Sequence, residues 1–132
     1  MQMTVYNRQQ VSFQAKFLHS DSLKQLADYA VEHNKFEKLN QARKNIDSSF
    51  LMTRLRLDIS KSQDGFPVVS FTRFQPKKTA STPYALEDYV QTKTVKFEAS
   101  RKMNPLKFAL EKFIKLGNGA PHNNMYKNIV KD

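Results

Sequence analysis

The sequence predicts an α+β fold, a single domain in which an antiparallel sheet has helices packed on one face. Three segments alternate apolar and polar side chains with the period of two that half-buried strands show, near residues 10–18, 50–60 and 67–75. A helix over residues 105–116 has sequence signals at both ends. With 132 residues, the chain is long enough to bury one core without disulfides or metals.

The first third of the chain predicts one strand followed by helical segments. In the strand over residues 10–18, one face carries Val11, Phe13, Ala15 and Phe17. Ser20, Asp21 and Ser22 then supply N-cap oxygens for a helix, whose apolar stripe is Leu23, Leu26, Ala27, Ala30 and Val31. The helical register changes at His33 and Asn34. A second stripe of Phe36, Leu39, Ala42 and Ile46 predicts either a separate short helix or a kinked continuation.

The middle of the chain predicts a β-hairpin over residues 50–75. Leu55, Leu57 and Ile59 share the core face of its first strand, and Val69 and Phe71 share that of its second. Asp64-Gly65 supplies the turn, and Pro67 fits the start of a strand. Residues 76–83 have the composition of a loop, and residues 90–99 favour a further strand.

The last predicted helix begins and ends at recognisable residues. Asn104 is its N-cap, Pro105 occupies the first helical position, and Gly117 is expected to adopt the left-handed C-terminal conformation. Predicted core side chains, one from each main element, are Phe13, Leu55, Phe71 and Phe113. The polar, Asn-rich segment after Gly117 predicts a domain over residues 1–117 followed by a flexible tail over 118–132.

Charge is the most informative functional feature. The chain has 22 Lys and Arg against 12 Asp and Glu, a net charge of +10 and a sequence pI near 9.9. The excess rises along the chain, from +2 in residues 1–48 to +5 in residues 100–132. A field of this sign attracts polyanions, and nucleic acid is the commonest polyanion in a cell.

Signatures of catalysis and of cofactor binding are missing from the sequence. It has no cysteine, no glycine-rich phosphate loop and no pair of histidines at zinc-binding spacing. We therefore predict no metal, no cofactor and no enzymatic activity, although a metal-free ribonuclease built from Lys, Arg and Tyr would leave no motif. No apolar run approaches the roughly 20 residues that span a bilayer, so we expect a cytoplasmic protein with no membrane partner.

A basic and aromatic group on the hairpin is the predicted nucleic-acid site. Alternation places Arg54 and Arg56 opposite the core face, beside Ser70, Thr72 and Phe74, with Lys77 and Lys78 following in the loop. Single-stranded DNA or RNA stacks its bases on rings and guanidinium groups while cations contact its phosphates. The predicted binding residues, which include cations near the last helix, are Arg54, Arg56, Arg73, Phe74, Lys77, Lys78, Arg101, Lys102, Lys107, Lys112 and Lys115.

Two alternatives remain open at this stage. The segment over residues 76–89 contains Tyr84, Leu86 and Tyr89, which would cover the sheet face if they packed on it. Arg54 and Arg56 would then pair with Glu87 or Asp88. The second alternative concerns function: an interaction module, such as an inhibitor or accessory subunit, would dock its basic surface on an acidic protein or a ribonucleoprotein.

Overall fold

A computed structural model describes residues 17–48, 53–79 and 86–130 of the chain. Within these ranges the chain forms four α-helices and three strands. In chain order they are α1 (Asp21–Glu32), α2 (Phe36–Ser48), β1 (Arg54–Lys61), β2 (Pro67–Pro76), a 3-10 helix (Leu86–Asp88), β3 (Tyr89–Glu98), α3 (Pro105–Gly117) and α4 (Asn124–Val130). The predicted α+β class is confirmed.

The three strands form an antiparallel sheet in the order β1-β2-β3. Leu57 is opposite Phe71, which is in turn opposite Val95, so the core side chains of the three strands meet on one face. The predicted hairpin turn is present, with Gly65 at φ +85° and its amide donating to the Ser62 carbonyl at 2.9 Å. The hairpin over residues 50–75 is thus confirmed from Arg54 onward.

The predicted first strand, over residues 10–18, lies outside the described residues except at its end. There Phe17 forms a bridge with Leu55, and the Leu18 amide donates to the Leu55 carbonyl at 2.7 Å. The bridge is parallel, which differs from the antiparallel pairing expected for this segment. Phe17 is fully buried, and its ring centroid lies 4.9 Å from that of Phe113. The predicted core position Phe13 lies outside the described residues.

Helix α1 begins at the predicted cap and is attached to β1. The Ser20 hydroxyl accepts from the Leu23 amide and donates to the Leu57 carbonyl, both at 3.1 Å. Asn34 then adopts a left-handed conformation, with φ 57°, which ends the first helical segment. The structure therefore decides for two separate helices rather than one kinked helix.

Helices α1, α3 and α4 contact the core face of the sheet, and α2 packs on α3 and α1. Helix α3 packs on β1 and β2 and is flanked by α1 and α2, while α4 packs on β2 and β3. The predicted core residues Leu55, Phe71 and Phe113 are buried. The opposite face of the sheet receives none of these described helices.

The predicted flexible tail instead contains helix α4. Asn123 caps this helix, its Oδ1 accepting from the Met125 amide at 2.8 Å and the Tyr126 amide at 3.2 Å. Tyr126, Ile129 and Val130 occupy one helical face and are buried in the main core. The Asn-rich composition was misleading, because one of the asparagines acts as a cap rather than as part of a loop.

Gly117 also differs from its predicted role. It ends α3 without a positive φ, and its lack of a side chain allows α2 to approach. A Cβ atom at this position would lie 2.5 Å from the Cα and carbonyl oxygen of Ala42. Asn45 of α2 donates to the Gly117 carbonyl at 3.0 Å across the same contact. Gly117 is required for close helix packing.

Replacing Gly117 by Ala should destabilise the fold, because the new methyl group would overlap the backbone of Ala42 and force α2 and α3 apart. We expect a loss of about 1–3 kcal/mol in the free energy of unfolding, the usual cost of overpacking. Urea denaturation, monitored by circular dichroism, measures this loss of stability. Lys107→Ala, on the exposed side of the same helix, is the control and should change stability by less than about 0.5 kcal/mol. Equal stability of the two variants would contradict the packing described here.

Candidate nucleic-acid interface

The sheet face opposite the helices, here called the outer face, carries a mixture of cations, hydroxyls and aromatic rings. The strand registers place Arg56 opposite Thr72 and Thr72 opposite Thr94, and the hydroxyl oxygens of the two threonines lie 3.2 Å apart. Successive residues on each strand alternate between the two faces. The pairing register of β2 and β3 shifts between Arg73 and Phe74, so the alternation in β3 changes phase there and Tyr89, opposite Pro76, lies on the same face as Thr94. The outer face includes Arg54, Arg56, Asp58, Ser70, Thr72, Phe74, Tyr89, Thr94, Lys96 and Glu98.

Each outer-face arginine is held over an aromatic ring. The Arg54 Cζ lies 5.2 Å from the centroid of the Tyr89 ring, and the Arg56 Cζ lies 5.6 Å from that of Phe74. Such contacts are attractive because the negative ring face attracts the cation. They also restrict two long side chains that would otherwise sample many rotamers. The result is a pair of partly exposed guanidinium groups whose motion is restricted by the rings beneath them.

The arginines differ in their ion pairing. Arg56 Nε is 3.0 Å from the Asp58 carboxylate, and both side chains remain about half exposed, at 40% and 45%. A pair this exposed contributes little to stability. The alternative partners considered from the sequence, Glu87 and Asp88, are not those of Arg56. Arg54 forms no ion pair with the other described residues.

Part of the outer face is covered, as the alternative interpretation expected. Tyr89 is only 8% exposed and Thr72 only 2% exposed. Phe74 is half-buried, and Arg54 and Arg56 also keep part of their surface accessible. The predicted covering residue Tyr84 lies outside the described residues. The surface accessible to a ligand is therefore centred on the two arginines and Phe74. The Tyr89 ring lies beneath Arg54.

Lys77 and Lys78 extend this surface beyond the end of β2. Both are exposed, and the Lys77 amide donates to the Asp88 carbonyl at 2.7 Å, which fixes the backbone beside the 3-10 helix. Lys96 adds a further exposed cation on β3, opposite Ser70. Sequence reasoning did not select Lys96 or Tyr89 as site residues, although extending the alternation of the hairpin into β3 would have found Lys96.

Arg73 is not part of the interface, contrary to the prediction. It is only 3% exposed, and it lies on the core face of the sheet with Val69 and Phe71. Its Nε donates to the Thr92 hydroxyl at 2.9 Å, and its Nη1 donates to the Val130 carbonyl at 3.2 Å. The period of two already assigned this position to the core. A buried guanidinium is tolerated there because hydrogen bonds satisfy it.

The cations near α3 do not join the outer face. Helix α3 lies on the other side of the sheet, and Lys107 and Lys115 are exposed there. Arg101 and Lys102 are exposed in the preceding connection, where Lys102 lies beside Gly65 at the hairpin turn. Lys112 is half-buried, with its Nζ 4.9 Å from the Phe97 ring centroid and 5.5 Å from that of Phe108. The predicted site therefore separates into two surfaces.

Within residues 17–48, 53–79 and 86–130, no group of three or more His, Cys, Asp or Glu could hold a metal ion. Over the same ranges, no helix has both the length and the apolar character needed to cross a membrane. Comparison of the chain with protein-family models, curated proteins and solved structures finds no match.

The contrast between Arg73 and Arg54 gives a stability prediction. Arg73→Gln removes charged donors from Thr92 and Val130, and hydrogen bonds to charged groups contribute about 1.5–3 kcal/mol. Arg54→Gln removes only a partly exposed contact with Tyr89, which is weaker at about 0.5–1 kcal/mol. Urea denaturation of both variants should therefore show the larger loss for Arg73→Gln. The reverse order would mean that Arg54, not Arg73, is the structural arginine.

Proposed function

We propose that this protein binds single-stranded nucleic acid, DNA or RNA, on the outer face of its sheet. Phosphate contacts and base stacking would supply the affinity, with little readout of sequence. The observation that carries the proposal is the placement of Arg54 and Arg56 over aromatic rings, toward the same end of the sheet as the exposed Lys77 and Lys78. The net charge of +10 favours the same class of ligand.

Stacking is the first part of the mechanism. Unpaired bases stack on aromatic rings and on guanidinium groups, and this contact tolerates any base because every base has a π face. Arg56 lies over Phe74 with 40% of its side chain exposed, so a base has a surface on which to stack. Because the ring below already holds the guanidinium in place, binding loses less rotamer entropy than it would with a free arginine.

Phosphate contacts are the second part. Lys77 and Lys78 are exposed at one end of β2, and Lys96 is exposed on β3 near Ser70. Lysine binds a phosphate as a point charge without fixing the geometry of the bases. A ligand held in this way gains affinity from its backbone rather than from its base edges, which is why we propose weak sequence preference.

The proposal is one of binding rather than catalysis. The outer face carries cations, rings and hydroxyls, with the Asp58 carboxylate paired to Arg56, and such a set is suited to holding a polyanion. We propose the cytoplasm as its location, in keeping with a nucleic-acid ligand.

Replacing Lys77 and Lys78 by Ala should lower affinity to a similar extent for all sequences. With each phosphate contact that is lost, binding releases fewer counterions. The slope of log K against log salt should therefore fall in magnitude by about 0.7 per contact on a single strand. Fluorescence anisotropy with labelled oligothymidine and oligouridine at several salt concentrations measures both effects. The matched control is Lys24→Ala with Lys44→Ala, an equal loss of charge on exposed helical residues.

If that control reduces affinity and salt slope as much as the Lys77 and Lys78 variant, binding depends on net charge and the outer face is not the site. If wild-type protein binds neither oligonucleotide at low salt, the proposed function is wrong.

Replacing Phe74 by Ala tests stacking separately from charge. We expect single-strand binding to weaken by about 1–3 kcal/mol, with a smaller effect on duplex, because only unpaired bases can stack. The same anisotropy titration is made with single strands and with a hairpin duplex, after circular dichroism has established that the variant is folded. Equal losses for both ligands would contradict a stacking role. Should the variant not fold, Arg56→Gln tests the same stack from its exposed side.

A further inference from the structure

A second feature, separate from the outer face, is a cleft in the helical layer. It lies between the connection from α1 to α2 and the exposed side of α3, with a volume of about 630 Å³. Its apolar surface comes from Tyr29, Leu110 and Ile114. Helix α3 separates this cleft from the sheet, so it does not belong to the surface proposed to bind nucleic acid.

Four lysines surround the cleft: Lys35, Lys38, Lys107 and Lys115. Against them the cleft has one carboxylate, that of Glu111. All four lysines are exposed, and none forms a side-chain ion pair or hydrogen bond with another residue of the described ranges. The cleft thus combines apolar side chains with a rim of net positive charge.

The walls of the cleft hold fixed positions. The His33 ring stacks on Tyr29 with centroids 4.0 Å apart and an interplanar angle of 25°. His33 Nδ1 donates to the Tyr29 carbonyl at 2.9 Å, which holds the ring at the end of α1. On the opposite wall, Lys107 and Lys115 are eight residues apart on α3, a separation of about 12 Å along the helix axis at 1.5 Å per residue.

We propose that this cleft binds a short acidic and apolar segment of a partner protein. Carboxylates of such a segment would meet the lysines, and its apolar side chains would cover the half-buried Ile114 and Tyr29. Acidic residues at the two ends of a two-turn helix have a spacing that matches Lys107 and Lys115. This is the helix-in-groove mode of recognition.

The apolar floor favours a peptide over nucleic acid as the occupant. A phosphate backbone would satisfy the lysines, but it offers no aliphatic surface to cover Ile114, which is only partly buried. Tyr29 and His33 stack on each other, which leaves at most one face of each ring for a base. The cleft would allow the protein to hold a protein partner while the outer face remains accessible.

The test uses a fluorescein-labelled peptide of about twelve residues. As a helix, a peptide of this length spans the distance between Lys107 and Lys115 of α3. Leu and Phe occupy one side of the peptide, and Glu residues lie near both ends. We expect saturable binding, a loss of about tenfold or more in affinity for Lys107→Glu with Lys115→Glu, and a similar loss when the peptide glutamates are changed to Gln. If that protein variant does not fold, Lys35→Glu with Lys38→Glu replaces it.

The matched control is Lys24→Glu with Lys44→Glu, which changes the net charge equally on exposed helical residues that do not line the cleft. It should alter peptide affinity by less than about threefold, the effect expected of distant, screened charges. Equal losses in both protein variants, or no saturable binding to wild type, would overturn the proposal. Displacement of the peptide by oligothymidine would also overturn it and assign the cleft to nucleic acid.

Discussion

The contact between α2 and α3 at Ala42 and Gly117 determines where the helical layer lies. The backbones approach so closely that a Cβ on Gly117 would be 2.5 Å from Ala42, and Asn45 adds a hydrogen bond to the Gly117 carbonyl. Helix α3 is thereby held against α2 on one side and against β1 and β2 on the other. Because α3 occupies the core face of the sheet, the arginines of the other face lie outside the helical layer, where they are available to a ligand.

The arginines show how one residue type is divided between structure and surface. Arg73 is buried and bonds Thr92 and Val130, so it joins the sheet to α4. Arg43 is also buried, and its Nη1 lies 2.8 Å from the Asp47 carboxylate. Arg54 and Arg56 lie on the outer face and rest on rings instead. The positive charge available to a partner is therefore smaller than composition suggests, and the outer face and the cleft each carry only part of it.

Local sequence signals predicted most of the architecture. The alternation of apolar and polar residues predicted the position of the hairpin, and capping residues predicted where α1 and α3 begin. Each of these signals depends on residues that are close together in the sequence. The same alternation placed Arg73 in the core, and selecting it for its charge was the error. Helix α4 and the role of Gly117 were missed, because both depend on contacts with segments distant in the sequence. No local pattern shows that Ala42 will lie against Gly117.

For the candidate site, the sequence predicted the residues better than their grouping. Arg54, Arg56 and Phe74 lie together as alternation required, while Tyr89 was considered only as a covering residue. The lysines of α3 were assigned to the same ligand because charge alone does not indicate on which side of a sheet a helix will pack. That information comes from tertiary structure, and it separates one predicted surface into two.

The most direct test of the central claim, that nucleic acid binds the outer face, is an NMR titration of uniformly ¹⁵N-labelled protein with unlabelled oligothymidine. The account predicts that the amide shifts that change most are those of Arg54, Arg56, Phe74, Lys77 and Lys78, while Lys107 and Lys115 on the far side of the sheet change little. Changes centred on Lys107 and Lys115, with the outer-face amides unaffected, would contradict it.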